Sequence, residues 1–273
     1  MRTGLPFLDD GTPVLAFAHR GGARHPGLEG LENTSAAFAH AVGLGYRYLE
    51  TDAHLTRDGV LVAFHDQLLE RVTDGAGGIE QLDATAVAAL RVGGRERVPT
   101  LTSLLTDFAG ARFNVDLKTD AAVAPLAELV RGPLADRVLV GSFSGRRLRR
   151  FRRLAGPSVA TSASPGEVAA YVALPGGAAM LVTRLLARVL GGRPPDALQV
   201  PHRVGPVVVA SPRLVRRAHR AGLHVHVWTV DEPDEMRLLL DRGVDGLMTD
   251  RTDILRDVLH ERGLWPDDPP EAG

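Results

Sequence analysis

The chain contains no cysteine. Disulfides, thiolate nucleophiles and cysteine-ligated zinc are therefore excluded. It contains one lysine, Lys118, against 31 arginines. Almost every cation is thus a guanidinium. No run of about 18 apolar residues occurs, so no membrane-spanning helix is expected. Neither sign of charge dominates. The net charge is −1 at pH 7, which gives no support for nucleic acid as a partner. The segment Met1 to Pro13 has no basic stretch followed by an apolar one. No secretory signal is read there, and the expected location is the cytoplasm. What the chain does have is apolar material. At 273 residues and 44% hydrophobic, it can bury a sizeable core.

Short apolar runs alternate with helical patterns along the whole length. Val14–Ala18 reads as a strand that stops at His19. Ser35–Gly43 reads as a helix, with Asn33 or Thr34 as its N-cap. Further strands are expected at Tyr46–Ala53, Val60–Phe64, Arg112–Leu117, Val138–Ser142, Val159–Ser162, Ala197–Val200, His224–Val230 and Asp245–Thr249. Helices are expected at Ala121–Arg131, Gly145–Leu154, Gly166–Ala173, Pro212–Ala221 and Asp253–Arg262. So many strand–helix units suggest a closed (β/α)8 barrel, an α/β fold of about this length. Chemistry in such a barrel sits at the C-terminal ends of the strands. One domain over residues 1–273 is expected, with a tail frayed from about 264. A glycine-rich insertion at about 66–100, after the second strand, interrupts the rhythm. It reads as a lobe over the barrel mouth without a core of its own.

Side chains alternate faces along a strand. Glu50, Asp52 and His54 therefore share one face, and Asn114, Asp116 and Lys118 share a face of a later strand. Adjacent carboxylates repel unless a cation joins them. A hard divalent ion with oxygen ligands satisfies such a set, and barrel-mouth salt bridges are the plainer alternative. His19 ends the first strand and is followed by Arg20, Gly21 and Gly22. His65 ends another apolar run. Two histidines beside a metal suit proton transfer in both directions. Arg20 and Lys118 suit phosphate oxygens, one as a planar fork and one as a point charge.

The ordered set H-R-G-G (His19–Gly22), E-N-T (Glu32–Thr34), E-T-D (Glu50–Asp52), F-H-D (Phe64–Asp66) and N-V-D-L-K (Asn114–Lys118) resembles the glycerophosphodiester phosphodiesterase family. W-T-V-D (Trp228–Asp231) and D-G-L-M-T-D (Asp245–Asp250) match as well. The resemblance runs from His19 to about Leu259. It implies a (β/α)8 barrel with an insertion after its second strand. It implies a divalent metal, Mg or Ca, held by Glu50, Asp52 and Asp116, with His19 and His65 as the acid–base pair. It implies hydrolysis of a glycerophosphodiester to an alcohol and glycerol 3-phosphate. The family commonly has Glu at the position of Asp116, and the loop Ala23–Leu31 is long. The second departure puts substrate identity more in question than reaction type.

Other features carry weaker expectations. Glu32 either orients Arg20 or begins the helix cap. Trp228 reads as a pocket wall, with His226 as its inner neighbour. His202 is placed near the mouth. Six arginines between Arg146 and Arg153 read as a solvated outer helix with an apolar stripe. Ala178–Leu190 reads as a barrel-packing helix, with a lipophilic lid as the sharper alternative. Membrane contact is expected to be peripheral at most, and the substrate a small glycerophosphodiester or a lysophospholipid. The competing functions are a lysophospholipase D or related phosphodiesterase on the same barrel, a sensor barrel without turnover, and an amidohydrolase-like centre on His224-x-His226.

Overall fold

The computed structural model describes residues 3–189 and 192–266. The chain opens with β1 (Leu15–His19), α1 (Ser35–Gly43) and β2 (Tyr48–Leu55). The insertion follows, with β3 (Leu61–Ala63), α2 (Ala84–Ala89) and then α3 (Leu101–Asp107). The rhythm resumes at β4 (Arg112–Leu117), α4 (Val123–Leu129), β5 (Val138–Gly141), α5 (Gly145–Ala155) and β6 (Ala160–Thr161). Two helices, α6 (Pro165–Ala173) and α7 (Gly176–Val189), precede β7 (Ala197–Pro201). A hairpin of β8 (Arg203–Val204) and β9 (Val207–Val208) leads to α8 (Pro212–Arg220). The chain ends with β10 (His224–Trp228), α9 (Pro233–Asp241), β11 (Gly246–Thr249) and α10 (Thr252–Glu261).

Eight strands pair in parallel in the order β6-β5-β4-β2-β1-β11-β10-β7. The ring closes through one bridge between Ser162 and Ala197. The Asp196 N–H donates to the Thr161 carbonyl at 2.9 Å beside it. This is the expected (β/α)8 barrel. Its two layers of core follow from strand alternation. Ala16 and Ala18 of β1, Leu49 and Ala53 of β2, and Phe113 and Val115 of β4 face the helices, where they meet Phe38, Leu126 and Phe151. Leu15, Phe17, Tyr48, Leu139 and Met248 face inward, closed off by Phe7 and Leu8. Every further step of two along a strand stays on the inner face. That rule carries Leu15–Phe17 on to His19, Tyr48 on to Glu50 and Asp52, and Met248 on to Asp250.

Four sequence expectations change. The insertion has a core of its own: Val62, Phe64, Leu69, Ile79, Val87, Val92 and Val98 form a separate buried cluster. It starts on β3, which runs antiparallel to the end of β2, so its apolar side chains gather away from the barrel helices. The helix α7 is not simply packed on the barrel. It buries Ala179, Thr183 and Ala187 and exposes Leu181, Leu185, Leu186 and Val189. The arginine helix α5 is not wholly solvated. Arg152 is buried, donating to Thr161 Oγ1 at 3.0 Å, to Glu167 Oε1 at 2.8 Å and to the Ser162 carbonyl at 2.8 Å. Trp265, expected to fray, packs on Tyr46 with ring centroids 5.0 Å apart. Leu190, the last residue of the expected Ala178–Leu190 helix, and the tail from 267 lie outside the described residues.

Candidate active site

The first strand delivers His19 to the barrel mouth, and the turn after it is tight. Arg20 has φ +49°, Gly21 +86° and Gly22 +89°. A Cβ on Gly21 would lie 2.7 Å from the Ala37 Cβ of α1, so only glycine lets the turn rest on that helix. The Arg20 N–H donates to Glu50 Oε2 at 3.1 Å. Its side chain reaches Glu32 Oε1 at 3.1 Å and Asp52 Oδ2 at 3.4 Å. Thr34 is the N-cap of α1, accepting from the Ala37 N–H at 3.2 Å. Asn33 is thereby free for the site. Its Nδ2 donates to Asp52 Oδ2 at 2.9 Å, and its Oδ1 accepts from Thr51 at 2.7 Å.

Strand register assembles the carboxylates. His19 pairs with Glu50 across β1 and β2. Asp52 pairs with Asp116 across β2 and β4. Burial, and then the charge of Asp52, push the Glu50 carboxyl up to about 7. Burial also raises Asp116. Burial works the same way on Asp52, but Lys118 and Arg20 overcome it and hold that carboxyl below its ordinary value. Lys118 Nζ stands 2.9 Å from Asp52 Oδ1 and 2.7 Å from Asp116 Oδ2. Burial opposes its charge, but the two carboxylates raise its pKa above the ordinary lysine value.

Each of the two histidines has a carboxylate on Nδ1. For His19 it is Asp250 Oδ1 at 2.7 Å. Burial pulls the His19 imidazolium down, but Glu50 and Asp250 outweigh it and its pKa is raised. For His65 it is Asp66 Oδ1 at 2.5 Å. Burial opposes the Asp66 charge, yet its bonds to Arg71 and His65 bring it down to about 2. Arg71 ties the insertion to the first loop, donating to both Glu32 oxygens at 2.6 and 2.7 Å. A cavity of about 640 Å³ opens here, lined by His54, His65, Asp66, Arg71 and Lys118.

Trp228 ends β10, with its ring 5.7 Å from that of Phe143. Phe143 is largely exposed, two residues past the end of β5. His226 lies below Trp228, fully buried, 5.0 Å from the Phe17 ring. No carboxylate hydrogen bonds to it or to His224 among the described residues, so an amidohydrolase-like centre gains nothing from this pair. His202 is engaged by Glu235 and by Arg242, the latter at 2.9 Å, and belongs to the packing of α8 and α9. Asp250 and Asn33 lie in motifs of the resemblance but receive no site role from sequence, and Arg71 receives none either. For Asp250 a signal existed, since it lies two residues beyond the inward Met248. Asn33 looked like a cap, and Arg71 was one guanidinium among many.

The donor set suits a hard divalent ion in kind: three carboxylates, two of them raised by burial. Among the described residues no three Asp, Glu or His side chains converge on one point. Lys118 stands between Asp52 and Asp116. Its ammonium must turn aside for both to reach one ion.

The sequence pattern of the glycerophosphoryl diester phosphodiesterase family matches residues 19–254. The chain is 42% identical over 265 residues to a protein of Mycobacterium tuberculosis named probable glycerophosphodiester phosphodiesterase 2, covering 94% of this chain and 98% of that one. It is 26% identical to lysophospholipase D GDPD1 of Homo sapiens, over 89% of this chain and 85% of that one. Among solved structures, a glycerophosphodiester phosphodiesterase of Parabacteroides distasonis superposes with TM-score 0.71 at 25% identity, covering 92% and 99% of the two chains. A phosphodiesterase of Oleispira antarctica, solved with its product sn-glycerol-3-phosphate, shares the fold with TM-score 0.70 at 21% identity, over 90% and 96%. The strand-end constellation and these likenesses agree: the chain belongs to the glycerophosphoryl diester phosphodiesterase family, and is a phosphoric diester hydrolase.

Proposed function

We propose that this phosphodiesterase cleaves glycerophosphodiesters to an alcohol and glycerol 3-phosphate by proton transfer between His19 and His65, aided by a divalent ion, Mg or Ca. The observation that carries the reading is the matched pair of histidines. Each holds Nδ1 against a carboxylate, His19 on Asp250 and His65 on Asp66. In this reading Nε2 of each ring serves the reacting oxygens, that of His19 beside Glu50 Oε2 at 3.7 Å. The carboxylate fixes the tautomer and steadies the imidazolium. One histidine takes the proton of the nucleophile, either water or the glycerol 2-hydroxyl; in the second case a cyclic phosphate forms as the alcohol leaves, and water then opens it to glycerol 3-phosphate. The other gives a proton to the leaving alcohol. Arg20 and Lys118 hold phosphate oxygens once Lys118 turns from Asp52 and Asp116. Glu32 keeps the Arg20 guanidinium in place, and Trp228 walls the pocket. Glu50, Asp52 and Asp116 would hold the ion, which neutralises charge on a non-bridging oxygen when bound.

A second reading, cleavage of lysophospholipids, is favoured by one observation. Leu68 and Phe143, both largely exposed, put apolar surface beside the residues of the site. The test is release of glycerol 3-phosphate from glycerophosphocholine and glycerophosphoethanolamine, and of choline with lysophosphatidic acid from lysophosphatidylcholine, with Mg, Ca or EDTA. Metal-dependent release, lowered roughly 10²- to 10⁴-fold in His65→Ala, is the expected result. Full turnover in EDTA removes the metal from the mechanism, and near-normal turnover in His65→Ala removes that histidine.

A further inference from the structure

The face built by α6, α7 and α8 is unlike the rest of the molecule. The three helices carry six arginines and a single acid, Glu167. That acid is engaged by Arg152 at 2.8 Å. The region is thus strongly cationic in a chain whose net charge is −1.

On α7 the apolar residues fall on two opposite ridges. Ala179, Thr183 and Ala187 are four apart and buried, whereas Leu181, Leu185 and Val189 are four apart and 58–71% exposed. Leu186 widens the outer ridge at 50% exposure. Two residues along a helix turn it by about 200°, so the second ridge points away from the protein. Arg184 and Arg188, both exposed, alternate with these leucines. A helix with small residues inward and leucines outward has been packed the wrong way for a protein that meets only water.

Beside the start of α7 lies a cavity of about 410 Å³, lined by Pro175 and by Arg213, Arg216, Arg217 and Arg220 of α8. Arg217 is buried and donates to the Tyr171 and Val172 carbonyls at 3.2 and 2.9 Å, closing the end of α6. The other three are exposed. Among the described residues no carboxylate forms an ion pair with Arg213, Arg216 or Arg220.

We propose that this face docks the enzyme on an anionic lipid bilayer, with the α7 leucines entering the headgroup region and the α8 arginines taking lipid phosphates. Exposed leucines interleaved with arginines are what an interfacial helix requires. Exposed arginines that, among the described residues, pair with no carboxylate supply the matching charge. The binding is peripheral, since no helix of the described residues is long and apolar enough to cross a membrane.

The experiment is co-sedimentation of the whole protein with phosphatidylcholine vesicles, with and without phosphatidylglycerol, at low and high salt. Retention on the anionic vesicles only, lost at high salt, is expected. At about fivefold in partitioning per arginine, the pair Arg213→Glu and Arg216→Glu should weaken it by roughly thirtyfold or more. Leu185→Ser with Leu186→Ser should weaken it about tenfold or more. Hydrolysis of glycerophosphocholine in solution should stay unchanged in both variants, which reports that they are folded. Absence of retention overturns the proposal, as does retention indifferent to lipid charge and to the arginine pair. So does a dimer in analytical ultracentrifugation that the leucine pair dissolves, because a second copy then covers the face.

Discussion

Replacing Asp250 with alanine removes the Nδ1 partner of His19, and with it a weaker contact to the largely exposed Arg24 at 3.9 Å and a distant charge felt by Arg20. The bond is 2.7 Å long between Nδ1 and Oδ1, the length of a charge-assisted hydrogen bond, which contributes about 1.5–3 kcal/mol. If that is felt fully in the transition state, kcat/KM falls roughly 10- to 150-fold. Asp250→Asn keeps an acceptor carbonyl but loses the charge, and should cost only about tenfold. His19→Ala should cost more than either, roughly 10²- to 10⁴-fold. The fold should tolerate the change, because the backbone bonds of Asp250, to Asp231 Oδ1 at 2.9 Å and from the Arg24 N–H at 3.0 Å, do not involve its side chain. A second readout separates positioning from mere damage. Burial opposes the His19 charge, and Glu50 with Asp250 outweighs it. Without Asp250 the imidazole pKa drops, and the limb of the kcat/KM–pH profile that His19 governs moves to lower pH. Glycerol 3-phosphate release across pH gives both numbers. Two results refute the reasoning: activity near normal in Asp250→Ala, or a loss with no displacement of either limb. A double variant Asp250→Ala, His19→Ala worse than His19→Ala alone would show that Asp250 acts on something other than His19.

The remaining predictions concern charge, turn and packing. Between the ordinary value of 4.5 and about 7, folded Glu50 retains a proton that the unfolded chain has lost. Stability of the metal-free protein therefore falls as pH rises through that window. Glu50→Gln should flatten the fall, read from thermal midpoints in EDTA; an unchanged slope assigns it to other groups. Gly21→Ala must place a Cβ 2.7 Å from Ala37 at φ +86°, so the His19–Arg20 turn shifts and activity should drop at least tenfold by the cost of misplaced groups; wild-type kcat/KM would show that the turn adapts. Arg152→Met leaves Glu167 without its buried guanidinium, and urea unfolding should register a loss of about 3 kcal/mol or more. A loss under about 1 kcal/mol would mean that water or Ser164, which donates to Glu167 at 2.8 Å from its backbone, takes over.

Much of this protein is written in local sequence. Period-two alternation alone set which residues of β1, β2 and β4 face inward, because a strand in a parallel barrel has only two faces and both are buried. That is why His19, Glu50, Asp52, Asp116 and Lys118 are legible as inward-facing residues in the sequence, and why α1 and β4 have the boundaries read from it. What sequence did not determine depends on contacts between segments far apart in the chain. Asp250 meets His19 across 231 positions, and Arg71 meets Glu32 across 39; no periodicity reports such pairs. The insertion's separate core arises where β3 folds back on β2. Lys118 looked free to hold phosphate, and only the register of β2 with β4 puts its ammonium between two carboxylates. The outward leucines of α7 were the same letters as a buried helix would carry. Which ridge is buried is decided by where Ala179, Thr183 and Ala187 find a neighbouring surface, and that is a property of the assembled barrel.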